Sequence, residues 1–147
     1  IDLNQNDETF KNTYDRNSKE KLNKFLQIRK ENLKNENIIF KEIDSFNLMS
    51  EFKDIKFDII WIDGDHLNPQ VTLDIFSAYY LVKQNGLIIC DDIIQNNYKT
   101  EYVNNDSFKT LNFFQKKNLF SNNYIIKRVN KENYKVKKFI SISKKLI

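Results

Sequence analysis

Glycine is scarce in this sequence, with two residues in a chain of 147. Loops that hold the phosphates of a nucleotide need several glycines, because their backbone must approach the phosphate closely. Neither the GxGxxG pattern of dinucleotide-binding proteins nor the GxxxxGK[ST] pattern of nucleoside triphosphatases occurs here. The sequence therefore lacks the phosphate-binding turn of both classes.

Cysteines and long hydrophobic runs are lacking as well. The single cysteine, Cys90, lies in an apolar run, so a disulfide framework is excluded and a reducing, cytoplasmic compartment is predicted. No apolar run reaches the ~18 residues that a membrane helix needs. The polar N-terminal segment does not resemble a signal peptide. We therefore expect no membrane partner.

The charge is unevenly distributed. The formal net charge is +4, and basic residues dominate from Lys109 to the end, where Glu132 is the one acid. A basic surface can attract nucleic acid. Because lysine is abundant throughout the chain, we interpret these residues as solubilising surface lysines and do not expect a nucleic-acid partner.

Hydrophobic periodicity predicts an alternation of helices and strands. Ser18 is predicted to cap the first long helix, and the dipeptide Asn68-Pro69 is predicted to start another, with Asn68 as its N-cap. The predicted helices cover residues 18–34, 46–52, 68–84 and 106–119, and the predicted strands cover residues 38–43, 57–62, 87–90, 124–129 and 136–143.

This order of elements predicts an α/β fold in one domain that spans residues 1–147. Strands that alternate with helices form parallel sheets covered by helices on both faces. The last two strands follow each other directly and are predicted to form an antiparallel hairpin at one edge. We therefore expect a mostly parallel sheet with a C-terminal antiparallel hairpin.

Acidic residues follow three of the predicted strands. Asp44 follows the first strand, Asp63 and Asp65 follow the second, and Asp91 and Asp92 follow the third. The carboxyl ends of parallel strands meet at one edge of a sheet, which is where ligands bind in open α/β sheets. Neighbouring carboxylates repel each other unless a cation lies among them. A divalent cation with oxygen ligands, typically Mg²⁺, is therefore predicted at this edge.

His66 is the single histidine of the chain, and it lies three positions after Asp63. A histidine can accept a proton near neutral pH. Its place at the mouth of the predicted acidic site makes it a candidate general base.

Three segments resemble class I SAM-dependent methyltransferases, where SAM is S-adenosylmethionine. Residues 57–66, FDIIWIDGDH, resemble the fourth-strand motif of that family, FDxxxIDGxH. Residues 81–92, LVKQNGLIICDD, resemble its LLkpGGxiixDD segment, with Asn85 in place of a glycine; asparagine tolerates the left-handed backbone that glycine favours. Residues 42–45, EIDS, resemble its third-strand GDs segment. Within the family, the pattern is similar to metal-dependent O-methyltransferases.

The resemblance implies a set of roles. His66 would take the proton of an acceptor hydroxyl, which would be carried by a small sugar or catechol-like molecule. Asp44 and Ser45 would face the adenine of SAM, and Asp2 would bind its ribose. The three implied Mg²⁺ ligands are Asp63, Asp91 and Asp92.

The resemblance also implies a Rossmann-like three-layer sandwich that lacks its first strand and glycine-rich turn. This chain starts where the second strand of the family should end. The missing first strand would lie beside residues 57–62, and without it we expect little SAM binding by the isolated chain. A homo-oligomer is compatible with the sequence, which does not specify the oligomeric state.

Three alternatives were weighed against this interpretation. A catalytically inactive α/β remnant could serve as an interaction module, with its basic hairpin meeting an acidic partner. A phosphorelay receiver domain is rejected, because no aspartate follows Asp106 to accept the phosphoryl group. A nicotinamide-dependent enzyme would need the absent glycine-rich turn.

Overall fold

The structure is a computed structural model that describes residues 8–12, 18–95, 104–129 and 136–147. The chain divides into two compact units, Ile1–Leu48 and Met49–Ile147. The helices are α1 (Glu8–Asn12), α2 (Lys19–Asn32), a 3-10 turn (Ser45–Asn47), α3 (Leu48–Glu51), α4 (Gln70–Leu81) and α5 (Asp106–Lys116). The strands are β1 (Phe57–Ile62), β2 (Val82–Ile94), β3 (Phe120–Val129) and β4 (Lys137–Lys145).

Helix α2 is the main element of the first unit, and its predicted cap is confirmed. The Ser18 hydroxyl accepts a hydrogen bond from the backbone N–H of Lys21 at 3.2 Å. Arg29 lies over the rings of Phe10 and Phe40 and forms an ion pair with Glu42 at 2.9 Å. The aliphatic stem and planar head of one arginine thus join the helix to the segment that follows it.

The strand predicted at residues 38–43 is wrong. This segment has no strand in the described structure, and Glu42 forms one isolated bridge. Ile39 is 84% exposed. An apolar, β-branched run forms a strand when a neighbouring strand satisfies its backbone and a packed face covers its side chains. Neither is present for this run among the described residues.

The second unit contains one four-stranded sheet in the order β1-β2-β4-β3. β1 and β2 are parallel, whereas β4 is antiparallel to both β2 and β3. The predicted C-terminal antiparallel hairpin is confirmed. The prediction of a mostly parallel sheet is wrong for the described strands, because the run at 38–43 does not join them and β1–β2 is left as the one parallel pair.

Helices α4 and α5 pack on one face of this sheet. Their buried side chains include Ile75 and Leu111, which meet Ile88 and Cys90 of β2 and Phe120 of β3 in a common core. The alternation of a strand explains this, since every second residue of β2 points to the helices.

On the opposite face of the sheet, Ile59 and Trp61 of β1 are more than half exposed. The apolar composition of β1 predicted that both faces of this strand are buried. In the described part of the second unit, only the face toward the helices is covered. The three-layer arrangement therefore stays a prediction.

The start of α4 differs by one position from the prediction. The helix begins at Gln70 with Pro69 as its N-cap, and the Asn68 side chain instead accepts a hydrogen bond from the Thr72 hydroxyl at 2.5 Å. At the other end, Lys145 donates to the carbonyl oxygens of Tyr79 and Val82 at 2.9 and 3.3 Å. A cation at the C-terminus of a helix is stabilised by the helix dipole.

Asn85 and Gly86 lie in the first part of β2, which follows α4 directly. Asn85 has a φ of 64°, so the left-handed backbone expected there is present. The helix has already ended at Leu81, so Gly86 does not stop it. Instead, a Cβ at Gly86 would lie 2.7 Å from the Val82 Cγ2 atom and 2.9 Å from the Asp58 carbonyl oxygen. The lack of a side chain at Gly86 allows β1 and β2 to approach each other closely.

We expect Gly86→Ala to lower the free energy of unfolding by about 1–3 kcal/mol, because the new methyl group overlaps backbone atoms that cannot move independently. The matched control is Gly64→Ala, whose Cβ would meet the side chain of Asp74 at 3.4 Å; a change within about 0.5 kcal/mol is expected. Urea unfolding followed by circular dichroism measures both variants. Equal losses in the two variants would contradict this role for Gly86.

Candidate functional site

The register between β1 and β2 builds the centre of the candidate site. Ile62 is paired with Cys90 in the parallel ladder, so the residues that follow them, Asp63 and Asp91, lie side by side. Because both strands run in the same direction, these two acidic residues lie at the same edge of the sheet.

Asp63 and His66 lie close enough for the charge of His66 to affect the pKa of Asp63. The pKa of Asp63 is raised, first by burial and then by the negative charge of Asp91, while the positive charges of His66 and Lys127 oppose the rise. No hydrogen bond to the side chain of Asp63 or His66 comes from the described part of the chain. Asp65 has a different function, since its Oδ1 accepts from the backbone N–H of Leu67 at 2.9 Å and closes the turn.

Asp91 and Asp92 lie inside β2, not after it as the sequence predicted. The pairing of β2 with β4 shifts register between Cys90 and Ile93, and Asp92 has a φ of 52°. This is the geometry of a β-bulge, which interrupts the alternation of side chains along a strand. The Asp91 Oδ1 atom accepts the backbone N–H of Asp92 at 2.8 Å. The two carboxylates can consequently reach a common partner.

That partner is a lysine of the hairpin. Lys127 of β3 donates to Asp91 Oδ2 and, at 3.1 Å, to Asp92 Oδ1. Lys138 of β4 donates to Asp92 Oδ2, and Arg128 approaches the same oxygen at 3.5 Å. The sequence analysis missed these lysines. No local signal distinguishes them, because lysines are frequent throughout this chain.

The two lysines lower the pKa of the Asp92 carboxyl group. Burial raises the pKa of Asp92, but hydrogen bonds from Lys138 and Lys127 outweigh it, and the net pKa is lowered. The hydrogen bond to Asp91 raises the pKa of Lys127, with burial opposing and Asp92 adding to the rise. The ion pairs therefore favour the charged forms of both partners.

The predicted Mg²⁺ ligands do not fit a metal ion in this arrangement. Mg²⁺ requires oxygen atoms in near-octahedral positions. All four carboxylate oxygens of Asp91 and Asp92 accept hydrogen bonds from the protein. Among the residues that the structure describes, no group of three or more histidine, cysteine or acidic side chains is placed to hold a metal.

The predicted SAM-binding residues belong to the first unit. Asp44 is the N-cap of the 3-10 turn and accepts the backbone N–H of Phe46 at 2.9 Å. Ser45 is half-buried in the same turn, and the Phe46 ring beside it is 60% exposed. Asp2 lies outside the described residues.

Fold and site together define an α/β protein with polar groups gathered at the carboxyl end of a parallel strand pair. Residues 1–93 match the model of the methyltransferase domain family, which is more than half of the chain. The chain belongs to this family of methyltransferase domains. No curated protein matches the sequence.

Among solved structures, the chain is similar to the crystal structure of "a putative O-methyltransferase from Klebsiella pneumoniae". The TM-score is 0.59 at 17% identity, and the match covers 83% of this chain. The chain spans 57% of the length of that structure. At this identity the likeness shows the fold.

Within residues 8–12, 18–95, 104–129 and 136–147, every helix is too short or too polar to cross a bilayer.

We expect Asp92→Asn to lower the free energy of unfolding by about 1–3 kcal/mol near neutral pH, because the ammonium groups of Lys127 and Lys138 lose a largely buried, charged hydrogen-bond partner. The lowered pKa of Asp92 sets the sign of the pH dependence. Its stabilisation is present above the unfolded pKa of about 3.9 and is lost as the pH falls through the lower folded pKa. The difference between wild type and variant should therefore close at strongly acidic pH.

Chemical denaturation across a pH series measures this difference. The control is Asp58→Asn, because Asp58 pairs with Lys83 at 2.8 Å but its side chain is 80% exposed. An exposed pair contributes about 0–1 kcal/mol. A loss at Asp58 as large as that at Asp92 would refute the distinction between the two pairs.

Proposed function

We propose that this chain is part of a SAM-dependent methyltransferase that methylates a hydroxyl group of a small acceptor molecule. The family match over residues 1–93 is the observation that carries this proposal. The grouping of Asp63 and His66 next to Asp91 supports it, because it offers a base at the ligand-binding edge of the sheet. A sugar or catechol-like acceptor fits the chemistry.

In the proposed reaction, His66 is the catalytic base. Bound SAM supplies a methyl group attached to a positively charged sulfur. The imidazole of His66 takes the proton of the acceptor hydroxyl, and the oxygen forms a bond to the methyl carbon. SAM would leave as S-adenosylhomocysteine, with the electron pair of the broken carbon–sulfur bond on sulfur, and the acceptor would become a methyl ether.

Asp44, Ser45 and Asp2 are the proposed contacts to SAM. The carboxylate of Asp44 uses Oδ1 to cap the 3-10 turn, and the exposed Phe46 ring lies next to it in sequence. An acid that can accept from an amino group and a ring that can stack suit an adenine. Asp2 as the ribose contact is proposed on the resemblance alone.

The family resemblance implies Mg²⁺ assistance by Asp63, Asp91 and Asp92, but hydrogen bonds from the protein occupy the oxygens of Asp91 and Asp92, and no step of the proposed reaction depends on a metal ion. A single domain over residues 1–147, a three-layer sandwich, a cytoplasmic location and a homo-oligomer are likewise proposals. The chain could instead be an inactive interaction module, which the first experiment below distinguishes.

Titration calorimetry with SAM, together with transfer of a labelled methyl group to catechol and to simple hexoses, tests the proposed function. We expect SAM to bind weakly, because residues 1–147 contain no glycine-rich turn, and label to appear in an acceptor fraction. Asp44→Asn should weaken SAM binding, because an amide cannot replace the acceptor strength of a carboxylate. The control is Asp54→Asn, a change in a nearby acidic residue for which no SAM contact is proposed. Absence of both heat and transfer would contradict the proposal and favour the interaction module.

We expect His66→Gln to lower turnover by roughly 10²–10⁴-fold, because general-base catalysis is lost. SAM affinity should stay within about twofold of wild type, a free-energy change of under about 0.5 kcal/mol. Initial rates with any acceptor identified above, and calorimetry with SAM, measure the two effects.

The matched control is Leu67→Ala, which removes an exposed side chain from the same turn and should leave both quantities unchanged. If His66→Gln reduces SAM affinity as much as turnover, His66 is structural and the assignment as a base is wrong.

A further inference from the structure

Four charged residues from three strands form a network around the bulge of β2, which we call the hairpin charge network. Its members are Asp91 and Asp92 of β2, Lys127 of β3 and Lys138 of β4. Lys127 joins both carboxylates, and Lys138 binds the second one. The network brings the C-terminal hairpin to the edge of the sheet where Asp63 and His66 lie.

The network is much less exposed than an ordinary surface ion pair. The side chains of Asp91 and Asp92 are 8% and 18% exposed, and those of Lys138 and Lys127 are 23% and 33% exposed. The Lys83–Asp58 pair in the same sheet is 51% and 80% exposed. Charges that are partly removed from water need a partner, because an unpaired buried charge costs several kcal/mol.

The backbone of β2 is shaped to hold this network. Consecutive side chains of a regular strand point to opposite faces, so one ammonium group could not contact both carboxylates. The register shift after Cys90 and the positive φ of Asp92 remove this restriction. The left-handed region is unfavourable for a residue other than glycine, because its Cβ approaches the following carbonyl oxygen. The ion pairs to Lys127 and Lys138 are placed to offset that cost.

We propose that Lys127 and Lys138 act as built-in counter-cations of Asp91 and Asp92, in the place that a divalent cation would take. The two ammonium groups carry the same total positive charge as one Mg²⁺ ion. They occupy the carboxylate oxygens that such an ion would need. Lys127 and Lys138 are positioning residues of the site, and the pair Asp91–Asp92 does not bind a divalent cation while both lysines are present.

This inference goes beyond the proposed function and does not rest on it. It concerns the charge balance of the sheet edge, and it holds whether or not methyl transfer takes place. Its test accordingly needs neither SAM nor an acceptor.

Binding of Mn²⁺, used as a paramagnetic probe for the Mg²⁺ type of site, provides the test. Electron paramagnetic resonance reports free Mn²⁺ directly. We expect no binding by wild type in the low millimolar range. The double variant Lys127→Met, Lys138→Met should bind Mn²⁺ at least about tenfold more tightly, a difference of about 1.4 kcal/mol. Adding Asp92→Asn to that variant should abolish the gain.

Two control variants separate charge from general destabilisation. Lys83→Met removes a lysine from the exposed pair and should leave Mn²⁺ binding at the wild-type level. Lys127→Arg with Lys138→Arg keeps both positive charges, so it should also bind no Mn²⁺. Circular dichroism and the midpoint of thermal unfolding establish that each variant is folded.

Two results would overturn the proposal. One is binding of Mn²⁺ by wild type that Asp92→Asn removes, which needs no lysine variant and decides the question even if the double variant does not fold. The other is a folded double variant that gains no Mn²⁺ binding. A loss of methyl transfer in either case would bear on the proposed function and not on the counter-cations.

Discussion

Two carboxylates on consecutive residues near the end of the central strand impose the main constraint on this structure. Asp91 and Asp92 are largely buried, and their negative charges must be balanced nearby. The balance comes from Lys127 and Lys138, which lie on the last two strands. The hairpin therefore does more than complete the sheet, because it supplies the positive charge that this part of β2 requires.

The same constraint explains how the candidate site is assembled. Strand β2 pairs with β1 on one side and with β4 on the other. The parallel pair brings Asp63 and the nearby His66 to the bulge, and the antiparallel pair brings the lysines. The site thus takes Asp63 and His66 from the segment after β1, two aspartates from β2 and two lysines from the hairpin. The fold of a methyltransferase domain provides the parallel half of this arrangement, and the hairpin provides the other.

Local signals predicted a large part of the second unit. The strand at Phe57–Ile62, the helix before β2 and the closing hairpin follow from periodicity, and the structure confirms them, although the helix ends at Leu81 and not at the predicted stop, Asn85-Gly86. The segment at 38–43 failed because its apolar run resembles a strand locally, while a strand needs a neighbour that satisfies its backbone. The start of α4 failed by one position because the Asn68 side chain binds Thr72.

By itself, the sequence determined the family of the chain and the acidic residues of the candidate site, because contiguous motifs of about ten residues contain both. The tertiary structure alone decided what neutralises those acids. Lys127 and Lys138 lie 36 and 46 positions from the aspartates they bind. Their pairing depends on strand order, register and one bulge, and no local pattern of residues specifies these.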